Sequence, residues 1–232
     1  MATVSTMLQS TYRNSDLVDD DPERQAALAQ WLDERCGCLT ASRMKDAMDF
    51  LKNGQPSAKR RDYMRDLVAE RATDINVRHY VTPAMQWGLD TEAEAKLVYQ
   101  KLTKCRLLPG EYIAHPSIEY FGATPDGFIV DQHGEVVGGL EIKCPTTSTF
   151  IEWKMLGEIP EEHKAQMIVQ RECARLKWVD FFAFDPRIKD EKLRHILHRF
   201  IPTEEETGKV LLAAQQFLDE TQMMFDAFVS KA

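Results

Sequence analysis

Two carboxylates and one amine stand close together near the middle of the chain. Asp126 lies in Ala123-Thr124-Pro125-Asp126-Gly127, and Glu141 and Lys143 lie in Gly139-Leu140-Glu141-Ile142-Lys143-Cys144. Alternate residues of a strand share one side, so Glu141 and Lys143 are predicted to point one way and Ile142 towards the core. A turn at the Thr-Pro corner is expected to swing Asp126 towards Glu141.

This set of groups suits metal-dependent hydrolysis of a phosphodiester. The oxygens of Asp126 and Glu141, with the Ile142 carbonyl and waters, are ligands that Mg²⁺ prefers, and Mn²⁺ is a possible substitute. Lys143 adds a compact positive charge that can orient a water and stabilise the transition state. The alternative for the same residues is a solvated strand face followed by an ordinary Pro-Asp-Gly turn. Their combination in one hairpin-like unit favours the catalytic interpretation.

The pattern Pro125-Asp126 followed by Glu141-x-Lys143 resembles the PD-(D/E)xK nuclease superfamily. The surrounding sequence more narrowly resembles the phage lambda exonuclease group, the YqaJ-like viral recombinase family. Matching blocks follow one another in order between Trp31 and Arg187 and are Leu39-Thr40-Ala41-Ser42, Trp87-Gly88 with Glu92, Thr124-Pro125-Asp126-Gly127, Leu140-Glu141-Ile142-Lys143-Cys144-Pro145, Ala165-Gln166 and Phe184-Asp185-Pro186-Arg187.

The resemblance implies roles for further residues. It gives Glu92 a place in the metal site, so that one or two ions are expected, and it places Gln166 in the active site. Gln170 lies one helical turn after Gln166 on the same face. Relatives often carry an aromatic residue there, so the resemblance gives Gln170 no role. Asp185-Pro186 is interpreted as a turn.

Arg35 and Ser42 match family positions that bind a terminal 5′ phosphate. Thr124 occupies a position that is Ser in the family, and its hydroxyl could make the same contact. Arginine offers a bidentate fork to phosphate oxygens, and a hydroxyl at a helix start suits an anion. Arg35 as an ordinary surface residue and Ser42 as a simple helix cap are the alternatives.

Composition narrows the class of protein. The chain has 232 residues, a formal net charge of −8 and five cysteines without disulfide-scaffold spacing, which favours a reducing compartment, by default the cytoplasm. No apolar run approaches the ~20 residues of a membrane span. The acidic charge argues against a protein that coats DNA with its whole surface, but a local basic channel is compatible with it. Lys59-Arg60-Arg61 with Arg65 is the candidate basic run for such a channel, with a solvated helix face as the alternative.

The patterns predict one α/β domain over residues 22–232, with a central mixed sheet flanked by helices, the PD-(D/E)xK core. Residues 1–21 are polar and are expected to be flexible. Strands near 112–114, 118–123, 127–131 and 136–143 are expected to form an antiparallel meander.

The resemblance implies an exonuclease that degrades one strand of linear double-stranded DNA 5′→3′ to mononucleotides, leaving 3′ overhangs for phage-type recombination by single-strand annealing. It also implies a ring-shaped homotrimer that acts on DNA ends and a single-strand annealing protein as partner. Two alternatives stay open. One is an endonuclease on the same core, and the other is a non-catalytic protein that binds DNA ends.

Overall fold

A computed structural model describes residues 22–77 and 82–231, without the side chains of residues 22–25, 27 and 28. The predicted flexible segment 1–21 lies outside these ranges. The helices are α1 Pro22–Asp33, α2 Met44–Ala47, α3 Ala58–Thr73, α4 Pro83–Thr103, α5 Thr147–Leu156, α6 Glu161–Ala174 and α7 Glu204–Val229. Short 3-10 turns span Ala41–Arg43 and Glu191–Leu193. None of the helices described has the length and apolar character of a membrane span.

Within the described ranges, eight strands form two sheets. They are β1 Leu39–Thr40, β2 Arg106–Pro109, β3 Ile113–Ala114, β4 Phe121–Ala123, β5 Gly127–Val130, β6 Val136–Lys143, β7 Trp178–Phe184 and β8 His195–Phe200. The larger sheet has the order β2-β5-β6-β7-β8, and the smaller has the order β1-β4-β3. Pairs β6–β7 and β1–β4 are parallel and the rest antiparallel. The predicted mixed α/β domain is therefore confirmed.

The predicted four-strand meander is wrong, because the chain changes sheet between β4 and β5. Pro125 lies at this point and has no N–H for a ladder. Instead of pairing with β4, β5 pairs with β6 and with β2, a strand that the sequence analysis missed. Gly110, just after β2, packs on this turn: a Cβ there would lie 1.7 Å from the Pro125 carbonyl oxygen.

Strand β6 is the middle strand of the larger sheet and separates two layers. One face carries Leu140, Ile142 and Cys144, which join Ala95 and Tyr99 of α4 in one buried cluster. Ile142 thus faces the core, as predicted. The other face carries Glu141 and Lys143, whose side chains contact glutamines of α6. Helix α6 also packs against the smaller sheet and against α3 and α7 through a second cluster.

The Lys59-Arg60-Arg61 run does not form a basic channel with all three side chains. Arg60 is 1% exposed and lies between the rings of Phe50 and Phe217. Its guanidinium donates hydrogen bonds to the Ala47 carbonyl at 2.8 Å and to Glu220 at 2.7 Å. Arg60 is therefore a structural residue that joins α2, α3 and α7.

Candidate active site

Antiparallel pairing places Asp126 beside Glu141. The Asp126 N–H donates to the Leu140 carbonyl at 2.9 Å, and its Oδ2 accepts from the Ile142 N–H at 2.6 Å. The Asp126 side chain is thereby held against the strand segment that carries Glu141. The turn that the sequence predicted does bring the two acidic residues together.

Glu141 is 1% exposed, and both of its carboxylate oxygens have partners. Oε1 is ion-paired with the Lys143 Nζ, and Oε2 accepts from the Gln170 Nε2 at 2.5 Å. The Lys143 Nζ also donates to the Gln166 Oε1 at 3.4 Å. Lys143 and Gln170 therefore contact the buried carboxylate directly, and Gln166 contacts Lys143.

Electrostatics link the acidic groups closely. Burial, and then the charges of Glu141 and Glu92, raise the pKa of Asp126 well above its ordinary value. Burial would lower the pKa of Lys143, but Glu141 and Asp126 outweigh it, so the pKa is raised. Carboxylates that repel one another in a buried site favour a bound cation that neutralises them. Lys143 stays positively charged at neutral pH.

Glu92 lies within α4 as predicted, and its carboxylate is ion-paired with Lys96 at 2.7 Å. The negative charge of Glu92 helps to raise the pKa of Asp126. Across the ranges described, no group of three or more His, Cys, Asp or Glu side chains is arranged to hold a metal ion. The oxygen groups that the structure brings together are the Asp126 and Glu141 carboxylates, with the Ile142 carbonyl adjacent in sequence. Hard oxygen donors of this kind suit Mg²⁺.

The three residues expected to bind a 5′ phosphate lie around the smaller sheet. Parallel pairing aligns Leu39 with Phe121 and Thr40 with Gly122, so Ser42 and Thr124 both follow the same end of this sheet. The Thr124 Oγ1 is buried, with no hydrogen-bond partner within the described part of the chain.

Arg35 lies near the same sheet. Its guanidinium stacks on Trp31 at 3.8 Å from the ring centroid. Burial raises the pKa of Tyr63, and Arg35 is among the groups that oppose this rise. The Tyr63 hydroxyl accepts from the Thr40 N–H at 3.1 Å, which ties this neighbourhood to β1.

Asp185 and Arg187 do more than form a turn. Asp185 is 0% exposed and accepts from the Arg187 Nε at 2.7 Å and the Thr147 hydroxyl at 2.7 Å. Arg187 also donates to the Pro145 carbonyl at 2.8 Å and stacks over Trp87 at 4.1 Å. This cluster connects the chain just after Lys143 with helix α4, which carries Glu92.

His163 of α6 is a buried packing residue. Its ring stacks on Phe181 at 5.4 Å and meets Trp153 edge-on at 5.0 Å. Burial, and then the charges of Lys143 and Lys45, lower the pKa of His163 to about 3. His163 is therefore neutral at physiological pH and anchors the helix that carries Gln166 and Gln170.

The structure brings Asp126, Glu141, Lys143 and Gln166 close together, and it adds Gln170, to which the sequence analysis assigned no role. The available signal was its spacing of four residues from Gln166, which places both side chains on one helix face. The partner of Gln170 lies on a strand 29 residues away, so the helix pattern alone does not reveal the contact.

Comparisons with known proteins show which family the chain resembles. The model of the YqaJ-like viral recombinase domain matches residues 30–176. No curated protein matches the chain. An alkaline exonuclease from Laribacter hongkongensis is 30% identical, with a TM-score of 0.77, and the alignment covers 88% of this chain and 97% of that one.

Two further solved structures are similar. The same Laribacter hongkongensis enzyme in complex with dAMP gives 30% identity, a TM-score of 0.78 and the same coverage of 88% and 97%. A phage related exonuclease from Haemophilus somnus 129PT is 12% identical, with a TM-score of 0.56 over 84% of this chain and 96% of that one. The latter likeness concerns the fold alone.

Proposed function

We propose that this chain, which belongs to the YqaJ-like viral recombinase family and is a nuclease, is a Mg²⁺-dependent exodeoxyribonuclease. Its substrate is one strand of linear double-stranded DNA, degraded from the 5′ end to mononucleotides. The observation that carries the proposal is the convergence of Asp126, Glu141 and Lys143 beside two glutamines. The dAMP complex of the Laribacter hongkongensis enzyme supports a deoxynucleoside monophosphate as the product class.

Asp126, Glu141 and the Ile142 carbonyl would hold the ion, with Glu92 as a further candidate ligand. A bound divalent cation supplies Lewis-acid charge and lowers the pKa of a water nucleophile. Lys143 contributes a fixed positive charge where negative charge builds on the phosphorus oxygens. The Gln166 amide, within hydrogen-bond distance of Lys143, orients that ammonium and offers its own N–H to the substrate.

End recognition follows from the proposed phosphate site. Arg35, Ser42 and Thr124 would bind the terminal 5′ phosphate, and the Thr124 hydroxyl, unpartnered among the residues described, supports this assignment. Thr124 and Asp126 are two residues apart, which limits their backbone separation to about 7 Å. So short a span suits one nucleotide between the bound end and the scissile phosphodiester, and therefore mononucleotide release.

The assembly and the biological role belong to the same proposal. The chain would form a ring-shaped homotrimer around duplex DNA, leave 3′ overhangs and pass them to a single-strand annealing protein during recombination. The cytoplasm is the proposed location, because the five cysteines of the sequence lack disulfide-scaffold spacing, which favours a reducing compartment. Native mass measurement tests the trimer: a purely monomeric or dimeric species with DNA present would contradict it.

The decisive experiment uses linear duplex DNA labelled at either the 5′ or the 3′ end, with Mg²⁺ or with EDTA. Wild type runs beside Lys143→Ala and beside Lys209→Ala, a lysine exposed on α7. We expect early release of the 5′ label as mononucleotide by wild type and Lys209→Ala. We expect none with EDTA, and none from Lys143→Ala.

Other results would redirect the proposal. Early release of the 3′ label would reject the polarity but keep the chemistry. Cutting of a closed circle would favour the endonuclease alternative. Binding of DNA ends without any cleavage would favour the non-catalytic alternative.

A further inference from the structure

Gln170 is the buried glutamine that touches the catalytic carboxylate. Its side chain is 0% exposed, and its Nε2 donates to the Glu141 Oε2 at 2.5 Å. The other oxygen of Glu141 is ion-paired with Lys143. One carboxylate oxygen is thus fixed from its own strand and the other from helix α6. Together these two contacts define the orientation of the carboxylate plane.

Helix α6 holds Gln170 rigidly in this position. The neighbouring residues Met167, Ile168, Val169 and Cys173 are buried, and they divide between two core clusters. Seven residues before Gln170, His163 stacks on Phe181, the residue aligned with Glu141 in the parallel β6–β7 pair. The amide donor therefore approaches Glu141 from a fixed direction.

Packing alone does not require an amide side chain at position 170. The Gln170 Oε1 is buried and has no hydrogen-bond partner among the residues described. A buried acceptor without a partner is unfavourable, and native proteins contain few of them. Methionine would fill a similar volume without such an acceptor. The feature that methionine lacks is the N–H that reaches Glu141.

We propose that Gln170 is a positioning residue that orients the Glu141 carboxylate for the divalent cation, an inference that rests on the proposed function. Groups that hydrogen-bond to a ligating carboxylate fix its orientation, and losing one typically weakens metal binding. Gln170 acts through Glu141 and is distinct from Gln166, which contacts Lys143.

The test is direct Mn²⁺ binding by calorimetry without DNA, on wild type and Gln170→Met, well below the melting temperature of each. We expect Gln170→Met to weaken Mn²⁺ binding about 10- to 100-fold. Gln170→Asn, which keeps an amide but is one methylene shorter, should weaken binding similarly and serves if the methionine variant does not fold. Glu141→Gln should remove most of the affinity.

Gln100→Met is the matched control. Gln100 is a half-buried helix glutamine whose Oε1 accepts from the Leu107 N–H at 3.2 Å. This change should lower the melting temperature but leave Mn²⁺ affinity unchanged. Wild-type Mn²⁺ affinity in Gln170→Met, or an equal loss in Gln100→Met, would overturn the inference alone. A wild type that neither binds Mn²⁺ nor cleaves DNA would overturn the proposed function as well.

Discussion

Gly110 lies outside the proposed active site, but replacing it with alanine should strongly reduce nuclease activity, because Gly110 packs on the turn that positions Asp126. The new Cβ would lie 1.7 Å from the Pro125 carbonyl oxygen and 2.8 Å from its carbonyl carbon. Real Cβ atoms essentially never approach closer than 3.0 Å, so the backbone must separate by about 1.3 Å. The obstructing atoms belong to backbone, so no side-chain rotation relieves the clash.

The displacement falls on the residue directly before Asp126. Asp126 is held by hydrogen bonds of 2.9 Å to the Leu140 carbonyl and 2.6 Å from the Ile142 N–H, and a shift of this size breaks or lengthens them. A misplacement of about 1 Å typically lowers catalysis by about 100-fold. Overpacking of this kind typically lowers the free energy of unfolding by about 1–3 kcal/mol.

The assay is kcat/KM on linear duplex DNA at saturating Mg²⁺, with urea denaturation of the same preparations. Gly208→Ala is the control, because Gly208 is exposed on helix α7 and a Cβ added there would have nothing within 4 Å. The control should keep full activity and gain up to about 1 kcal/mol in stability. Wild-type kcat/KM and stability in Gly110→Ala would refute the reasoning.

Two further predictions concern buried charged groups. Arg60→Ala should lower the free energy of unfolding by about 2–4 kcal/mol, because it removes a buried guanidinium that bonds Ala47 and Glu220, while Glu220 is 35% exposed and partly rehydrates. Urea denaturation measures the loss, and a specific fall in DNA affinity without a loss of stability would instead favour the basic-channel hypothesis. Burial raises the pKa of Asp185, but hydrogen bonds from Arg187 and Thr147 lower it by more than burial raises it. The net pKa is therefore below the ordinary 3.8. Its contribution to stability is present above pH 3.8 and is lost as pH falls through the lower, folded-state pKa. Asp185→Asn should therefore be less stable than wild type at pH 7, with a gap that narrows in strong acid, and a gap that does not depend on pH would contradict this account.

The sequence predicted best those features that depend on neighbours along the chain. Glu141 and Lys143 share a face because alternate strand residues do so, and Asp126 is brought in by a local turn. The central sheet was predictable because long runs such as Trp178–Phe184 are apolar almost throughout.

Features that depend on distant partners were missed. The sequence of strand β2, which contains Arg106 and Pro109, is not typical of a strand, but pairing with β5 stabilises it. From the sequence, Arg60 is expected on a charged helix face. Its burial depends on helix α7, which carries its partner Glu220, 160 residues away in the chain. Gln170 likewise acquires its role only when α6 packs across β6.

The position of β6 in the middle of the larger sheet has a consequence for heating and hydrogen exchange. The strand that carries Glu141 has a hydrogen-bonded neighbour on each side and is buried along most of its length. Amides of such strands usually exchange only when the whole domain opens, whereas edges and termini open locally. The β6 amides should therefore be among the slowest to exchange, and thermal loss of activity should coincide with global unfolding. The Glu141 carboxylate then stays in place for as long as the domain stays folded.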